Sequence, residues 1–331
     1  MVFIPTEIIK DIYAIDIPLV GSPLKNLNSY LIKGGSRNLL IDTGFRTKEC
    51  KEAMMSQLEE LQVSLSDTDI FLTHFHSDHT GLSTDLIQPG SKLMISAKDA
   101  NMLGIYGRTL RWKERNERFL KDGFPPDLME ETWKQNPARS AVAEPYGDYV
   151  RLYEGDVMKY GDYVLKCIDT AGHTPGHMCL YHEESGTIFL GDHILFDITP
   201  NIVWWGEMED ALGTYLSNLD KLTALDITVP LPGHRHWAGI SVYERIQQLK
   251  RHHTRRLEEI CEILSVFPGL NAYEIAGDVS WKIRAKNWEA FPVSQKWFAV
   301  GEVMAHLDHL ISGGFVRRLE NETGKYLYYL N

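Results

Sequence analysis

The segment from Thr73 to Gly81 constrains this sequence more than any other. It directly follows the apolar run 70–72, which is typical of the end of a buried strand. Four side chains that can bind a metal ion lie within six consecutive positions, namely His74, His76, Asp78 and His79. Because side chains alternate along an extended chain, His74 and His76 can share one ion, whereas Asp78 and His79 face a neighbouring position where the chain turns. This density favours two metal ions about 3.5–4 Å apart over a single ion or a histidine-rich surface loop.

Three further segments carry histidine and aspartate residues next to glycine, in positions that follow predicted strands. They are Thr170–His177, Phe189–His193 and Leu231–His234. Together with His-x-His-x-Asp-His, these segments resemble the four motifs of the metallo-β-lactamase superfamily, and they occur in the same order. The resemblance covers about residues 10–240. It implies an α+β fold, a four-layer αββα sandwich, and it is far more specific for the fold than for the substrate.

The resemblance also implies a set of seven metal ligands. The first metal would be bound by His74, His76 and His173, the second by Asp78, His79 and His234, and Asp192 would bridge both. Imidazoles with a few carboxylates favour zinc, and iron and manganese are the alternatives.

Two adjacent dications would lower the pKa of a shared water and polarise the oxygen of an ester, thioester, lactone or phosphodiester. Asp78 is the predicted catalytic residue, because it would orient the water and pass a proton to the leaving group. For His177, a structural or hydrogen-bonding role is favoured over metal binding. Asp42 has the pattern of a turn carboxylate, and the resemblance implies that it supports the metal loop.

Composition limits the classes of partner. A chain of 331 residues can form one large domain or two of moderate size, and its net charge of −11 disfavours a general binder of nucleic acid or of anionic membranes. The N-terminus lacks the pattern of a secretory signal, and no apolar run approaches the ~18 residues of a membrane span. The four cysteines form no C-x-x-C pair, so we expect them to be reduced and buried. We therefore expect a cytoplasmic protein without a membrane partner.

The pattern along the chain predicts a catalytic domain over residues 1–240, interrupted by a mainly helical insertion over about 98–150. Residues 11–45 alternate as in a β-meander, and residues 47–62 have helical periodicity. The insertion is rich in charged and aromatic residues, among them Trp112. It could form the lid or wall of a substrate pocket, or a helical decoration with a buried aromatic stripe.

Residues 241–331 are predicted to form a separate C-terminal domain. Helical patterns cover 241–265, 272–276 and about 296–311, and a hairpin pattern follows with its turn at 321–324. Helices followed by such a hairpin resemble a winged-helix domain. This region has nearly equal numbers of basic and acidic residues, which favours packing or homodimer formation over nucleic-acid binding.

Several residues of this sequence differ from those of individual branches of the superfamily, and these differences reduce the number of plausible functions. Asp192 rather than cysteine, and no signal sequence, argue against a secreted β-lactamase; His76 rather than glutamate argues against the flavodiiron branch. Leu195 stands where lactonases carry tyrosine, so a lactonase is also disfavoured. The favoured function is hydrolysis of a small thioester or ester, as in glyoxalase II-like enzymes, with a small-molecule acyl substrate. The alternative is a metal-dependent ribonuclease. A binding protein without activity would require a missing ligand, and none is missing.

Overall fold

The computed structural model describes residues 4–135, 141–237, 239–282 and 285–331. The chain forms two compact units, each made of several segments. Unit 1 comprises Met1–Gly107, Pro137–Pro200 and Asn218–Arg245, and unit 2 comprises Arg108–Asn136, Asn201–Ser217 and Ile246–Asn331. These units are discontinuous, whereas the sequence suggested two continuous domains that meet near residue 240. The continuous division stays a prediction.

A seven-stranded sheet forms one half of unit 1. Its strands, in spatial order, are β1 (Thr6–Ile9), β2 (Ile12–Pro18), β3 (Asn26–Ile32), β4 (Asn38–Ile41), β5 (Thr68–Leu72), β6 (Leu93–Ser96) and β7 (Val150–Leu152). Neighbours from β1 to β4 are antiparallel, which confirms the predicted meander. Neighbours from β4 to β7 are parallel. The carboxyl ends of β4, β5 and β6 therefore lie at the same edge of the sheet.

A five-stranded sheet forms the other half. Its strands are β8 (Val157–Tyr160), β9 (Tyr163–Asp169), β10 (Met178–His182), β11 (Thr187–Gly191) and β12 (Val229–Pro232), in the order β12-β11-β10-β9-β8. The pairs from β8 to β11 are antiparallel, and β11 pairs with β12 in parallel. Strands β9, β11 and β12 consequently run in one direction, and their carboxyl ends share an edge.

Two buried layers explain why β4 and β5 are apolar on both faces. Leu39, Ile41 and Phe71 belong to a cluster shared with β9, β10 and β11 of the second sheet. Leu40 and Leu72 instead face a cluster that includes Met54 and Leu58 of helix α1 (Lys48–Glu60). Helix α1 therefore covers one face of the first sheet, and the second sheet covers the other face. This arrangement confirms the predicted α+β sandwich.

The remaining helices range from four to 25 residues in length. They are α2 (Ser77–Thr80), α3 (Ser83–Leu86), α4 (Ala97–Leu103), α5 (Ile105–Lys121), α6 (Pro126–Gln135), α7 (Ala211–Leu222), α8 (Val242–Val266), α9 (Ala272–Asp278) and α10 (Val293–Ser312), and a hairpin of β13 (Val316–Glu320) and β14 (Tyr326–Leu330) follows. None of the helices in the described part of the chain combines the length and hydropathy needed to cross a bilayer.

The core of unit 2 combines the second half of α5 with the C-terminal helices. Phe119 and Phe124 are fully buried, and the ring of Phe119 stacks on Trp297 of α10 at 5.0 Å between centroids. Trp112 is half-buried against the same core. These contacts match the buried aromatic stripe that the sequence allowed for the insertion. The roles of the insertion as a lid and of residues 241–331 as a winged helix stay predictions.

The cysteines are free thiols, as expected. Cys50, Cys167 and Cys179 are buried, and Cys261 is half-buried. Burial raises the pKa of Cys167 and of Cys179 to about 12, so neither thiol ionises at neutral pH.

Candidate functional site

Four loops that follow strand ends bring the seven predicted ligands together in unit 1. His74 to His79 follow β5, His173 follows β9, Asp192 follows β11 and His234 follows β12. Three overlapping groups have donor atoms within 4.8 Å of one another: His74 with His76 and His173; His74 with His79 and Asp192; and Asp78 with His79 and His234. The clustering follows from topology, because the two sheets present the carboxyl ends of these strands at their edges.

The first group consists of three imidazoles that face one point. His76 Nδ1 lies 3.0 Å from His74 Nε2 and 3.1 Å from His173 Nε2. Nitrogens bound tetrahedrally to zinc at ~2.0–2.1 Å would lie about 3.3 Å apart, so these separations suit one ion. Burial, reinforced by the neighbouring histidines, lowers the pKa of His74 well below its usual value. Burial and His173 likewise lower the pKa of His76 to about 3, so both rings keep a free lone pair.

The second group contains a carboxylate and two imidazoles. Asp78 and His79 lie on helix α2, which begins at Ser77. His234 Nε2 lies 3.4 Å from Asp78 Oδ2 and 3.3 Å from His79 Nε2. Burial opposes ionisation of Asp78, but His234 and His79 hold its pKa at about 2. Asp78 is therefore a carboxylate at neutral pH.

Asp192 lies between the two groups. Its Oδ2 is 3.6 Å from His173 Nε2 and 3.5 Å from His234 Nε2, and its Oδ1 is 3.5 Å from His79 Nε2. Although burial would raise its pKa, His234 and His79 hold the pKa of this carboxyl well below the ordinary range. Oδ1 is buried and has no hydrogen-bond partner among the described residues. A buried anionic oxygen surrounded by imidazole nitrogens fits a bound cation.

Asp42 fixes the orientation of the loop that follows β5 by hydrogen bonds to Thr73 and His79. Its Oδ1 accepts the Thr73 N–H at 2.8 Å, and its Oδ2 accepts the Thr73 hydroxyl at 2.8 Å and His79 Nδ1–H at 2.7 Å. Thr73 Oγ1 is thus left to accept His74 Nδ1–H at 3.0 Å. Both rings therefore direct Nε2 into the cluster. Asp42 itself has a φ of 58°, a left-handed conformation that aspartate tolerates better than most residues.

His177 is hydrogen-bonded through both ring nitrogens and belongs to none of the three groups. Nδ1–H donates to Thr170 Oγ1 at 2.8 Å, and Nε2 accepts the Asp192 N–H at 3.1 Å. The ring therefore holds the backbone of the bridging position, in line with the structural role preferred from sequence. Burial and the nearby His193 lower the pKa of His177 well below its usual value, so the ring stays neutral.

Three residues that sequence reasoning did not single out also support the ligands. The Asn26 carbonyl accepts His234 Nδ1–H at 2.7 Å, Thr170 orients His177, and Asp99 contacts the loops that carry His74, His76 and His173. Sequence reasoning missed Asn26 because any residue supplies a carbonyl. It missed Asp99 because that residue lies on α4, without a ligand pattern around it.

The model of the Metallo-beta-lactamase superfamily matches residues 24–234. The probable metallo-hydrolase YqjP of Bacillus subtilis is 26% identical over 318 residues, which cover 91% of this chain and 92% of that protein. The atrochrysone carboxyl ACP thioesterase AgnL7 of Paecilomyces divaricatus is 28% identical over 211 residues. That match covers 64% of this chain and about half, 51%, of the thioesterase.

Among solved structures, a metallo-β-lactamase family protein from Thermus thermophilus aligns with a TM-score of 0.81. It is 28% identical, and the alignment covers 98% of this chain and 99% of that one.

Proposed function

Because the chain belongs to the metallo-β-lactamase superfamily and is a hydrolase of that group, we propose that it uses two metal ions to cleave a small thioester or ester. The proposal of two ions is supported mainly by the position of Asp192. Its Oδ1 faces His79 and its Oδ2 faces His173, which belong to different ligand groups. One ion could occupy the group of His74, His76 and His173, and the other the group of Asp78, His79 and His234. Zinc is the favoured element, with iron or manganese as alternatives.

Support for a thioester comes from a relative named as an ACP thioesterase, which this chain matches over part of its length. A thioester also suits the donor set, because the acyl oxygen needs an electrophile and the thiolate is a good leaving group. We propose a small acyl substrate, with an acyl group on a carrier protein as a variant to be tested.

Two divalent ions, when bound, would supply Lewis acidity toward the acyl oxygen and would acidify the attacking water. The chain's own residues would fix the geometry and move the proton. Asp78 is ionised and 8% exposed, and His76, two positions before it, is half-buried. Its carboxylate would orient the water.

Hydrolysis of the thioester needs no reactant other than water. The water oxygen bonds to the acyl carbon, the C–S bond breaks, and the sulfur receives the proton that Asp78 takes from the water. Asp78 returns to its carboxylate form in this step, and the products are a carboxylic acid and a thiol. As one member of a ligand group with His79 and His234, Asp78 would keep its place throughout the reaction.

The test is a substrate panel on metal-reconstituted protein. Acyl thioesters of increasing chain length, matching oxygen esters, a lactone, a β-lactam, an acylated carrier protein and a labelled single-stranded RNA would be compared by kcat/KM. Release of free thiol follows thioester cleavage directly. Asp192→Ala, purified in the same way, controls for contaminating hydrolases.

We expect the highest kcat/KM for a small thioester and background rates for Asp192→Ala. Cleavage of RNA, or of β-lactam, at a higher kcat/KM than any acyl substrate would contradict the proposed substrate class. Equal turnover by the Asp192→Ala preparation would assign the activity to a contaminant.

A further inference from the structure

A fully buried carboxylate joins the two loops that carry the three-histidine group. Asp99 Oδ2 accepts the Phe75 N–H at 3.0 Å and the Thr174 hydroxyl at 2.8 Å, and Oδ1 accepts the Gly176 N–H at 2.7 Å. Phe75 lies between His74 and His76 in the chain, and Thr174 follows His173. One side chain thus sets the distance between the segments that supply all three imidazoles.

Asp99 is itself held in place. Its backbone N–H donates to the Ser96 hydroxyl at 3.1 Å, which caps helix α4 where it leaves strand β6. Ala100 and Leu103 of the same helix are buried in the core under the first sheet. The carboxylate therefore belongs to a rigid part of unit 1 rather than to a mobile loop.

The His173 loop approaches this carboxylate so closely that it requires glycine. A Cβ atom on Gly176 would lie 2.6 Å from Asp99 Oδ1 and 2.3 Å from Ser96 Oγ. Contacts this short are not tolerated, so any other residue at 176 would force the loop away from α4. Glycine at this position is explained by the hydrogen bond to Asp99.

We propose that Asp99 is a positioning residue for the first metal, and this proposal rests on the proposed function. By fixing His74 and His76 relative to His173, it would preorganise the tetrahedral arrangement before an ion binds. Residues beyond the ligands typically change metal affinity by ~10–100-fold when they are mutated. The same hydrogen bonds also stabilise the fold, so the experiment has to separate metal affinity from stability.

The test compares Asp99→Asn with a matched control, Asp69→Asn. Both aspartates are buried and accept a backbone N–H, but Asp69 bonds to Lys92 N, to the Tyr160 hydroxyl and to the Arg37 guanidinium at the opposite end of β5 from His74. Asparagine keeps the shape of Asp99 and replaces one acceptor oxygen with an NH₂ group that cannot accept. The affinities for the first and second zinc ions are measured by competition with a chromophoric chelator, and the stability of the metal-free proteins by urea unfolding.

We expect Asp99→Asn to weaken zinc binding at the three-histidine group by about 10–100-fold and to change the other site less. The visible spectrum of the cobalt(II)-loaded variant should change, because that spectrum depends on the coordination geometry. Asp69→Asn should lower the stability of the metal-free protein while leaving both zinc affinities unchanged.

Thr174→Val is a milder variant that keeps the proposal testable if Asp99→Asn does not fold. This variant removes the hydroxyl that Asp99 Oδ2 accepts, whereas Gly176→Ala displaces the loop itself; both should weaken binding of the first zinc ion. Unchanged zinc affinities and cobalt spectra in the folded variants would overturn the proposal and make Asp99 purely structural. A wild-type protein that binds no metal would instead refute the proposed function, which is a separate result.

Discussion

Asp78 differs from His79 and His234 of the second group because it is a carboxylate that is 8% exposed, whereas both imidazoles are fully buried. Five histidines and Asp192 remain when Asp78 is changed, so Asp78→Asn should retain most of the metal. It would lose the carboxylate that orients water and moves a proton, a contribution typically worth ~10²–10⁴-fold. We expect kcat to fall by at least about 10²-fold, with turnover and metal content measured on the same sample. Full activity with normal metal content would make Asp78 a scaffold residue.

Individual ligands could be predicted from sequence because four of them stand within six positions directly after an apolar strand pattern. The structure places all seven in one cluster, although the assignment of each to a metal stays a prediction. Asp99 and the Asn26 carbonyl could not be found in this way. Their roles depend on which strand ends meet across the two sheets, and that is a property of topology rather than of any local pattern.

Secondary-structure elements were predicted well where periodicity was strong. Helix α1 lies within the predicted 47–62, and α8 matches the predicted 241–265 to within a residue at each end. Helix α2 has only four residues and therefore no periodicity from which to predict it. Its start is set by the N–H groups of His79 and Thr80, which bond to the His76 carbonyl.

The C-terminal hairpin is tied to helix α5 through a buried polar network. The Tyr328 hydroxyl donates to Asp122 Oδ1 at 2.6 Å, and Asp122 also accepts Arg118 Nε at 2.5 Å. Tyr328→Phe would leave a buried carboxylate oxygen without this donor, which costs about 1–3 kcal/mol. We expect a loss of that size in urea unfolding. Tyr153→Phe, at a tyrosine that is 61% exposed, is the control and should be within about 0.5 kcal/mol of wild type.

Helix α10 contains a glutamate that should make unit 2 sensitive to pH. Burial raises the pKa of Glu302 to about 7, an effect that Arg256 opposes; Arg256 Nε lies 3.6 Å and His252 Nε2 4.0 Å from its Oε1. An acid whose pKa is higher in the folded state binds its proton more tightly there. Its contribution is therefore fully present below about pH 4.5 and is lost as the pH rises toward 7.

Glu302→Gln should accordingly reduce the loss of stability between pH 5 and pH 8, because glutamine has no proton to release. Urea unfolding at several pH values measures this slope. The exposed Glu258, on α8, provides the control: Glu258→Gln should have the slope of the wild type. If the slopes of the wild type and of Glu302→Gln coincide, Glu302 does not titrate in this range.

At the scale of the whole molecule, the sequence could not predict which chain segments form each of the two units, because this depends on contacts between residues far apart in sequence. Arg118 bonds to Asp308 across 190 positions, and the Trp204 N–H bonds to the Gly301 carbonyl. Aromatic residues in the insertion indicated burial, but nothing in the sequence named their partners. The hydrophobic pattern identifies a buried face without identifying what covers it.

The candidate metal site links residues 74 to 234, so metal binding should stabilise the folded chain as a whole. In the unfolded state these ligands are dispersed, and an ion that binds only the folded state adds about 2.7 kcal/mol when its free concentration is 100 times Kd. We therefore expect two ions per chain by elemental analysis. Dialysis against a chelator should lower the Tm of the protein, and addition of zinc should restore it.

His234→Ala should bind fewer ions and should show a smaller increase in Tm on zinc addition. The exposed His236 lies two positions away, and His236→Ala should keep both ions and the full increase. A single ion in the fully active wild type, or equal metal content in the two histidine variants, would contradict the dinuclear centre.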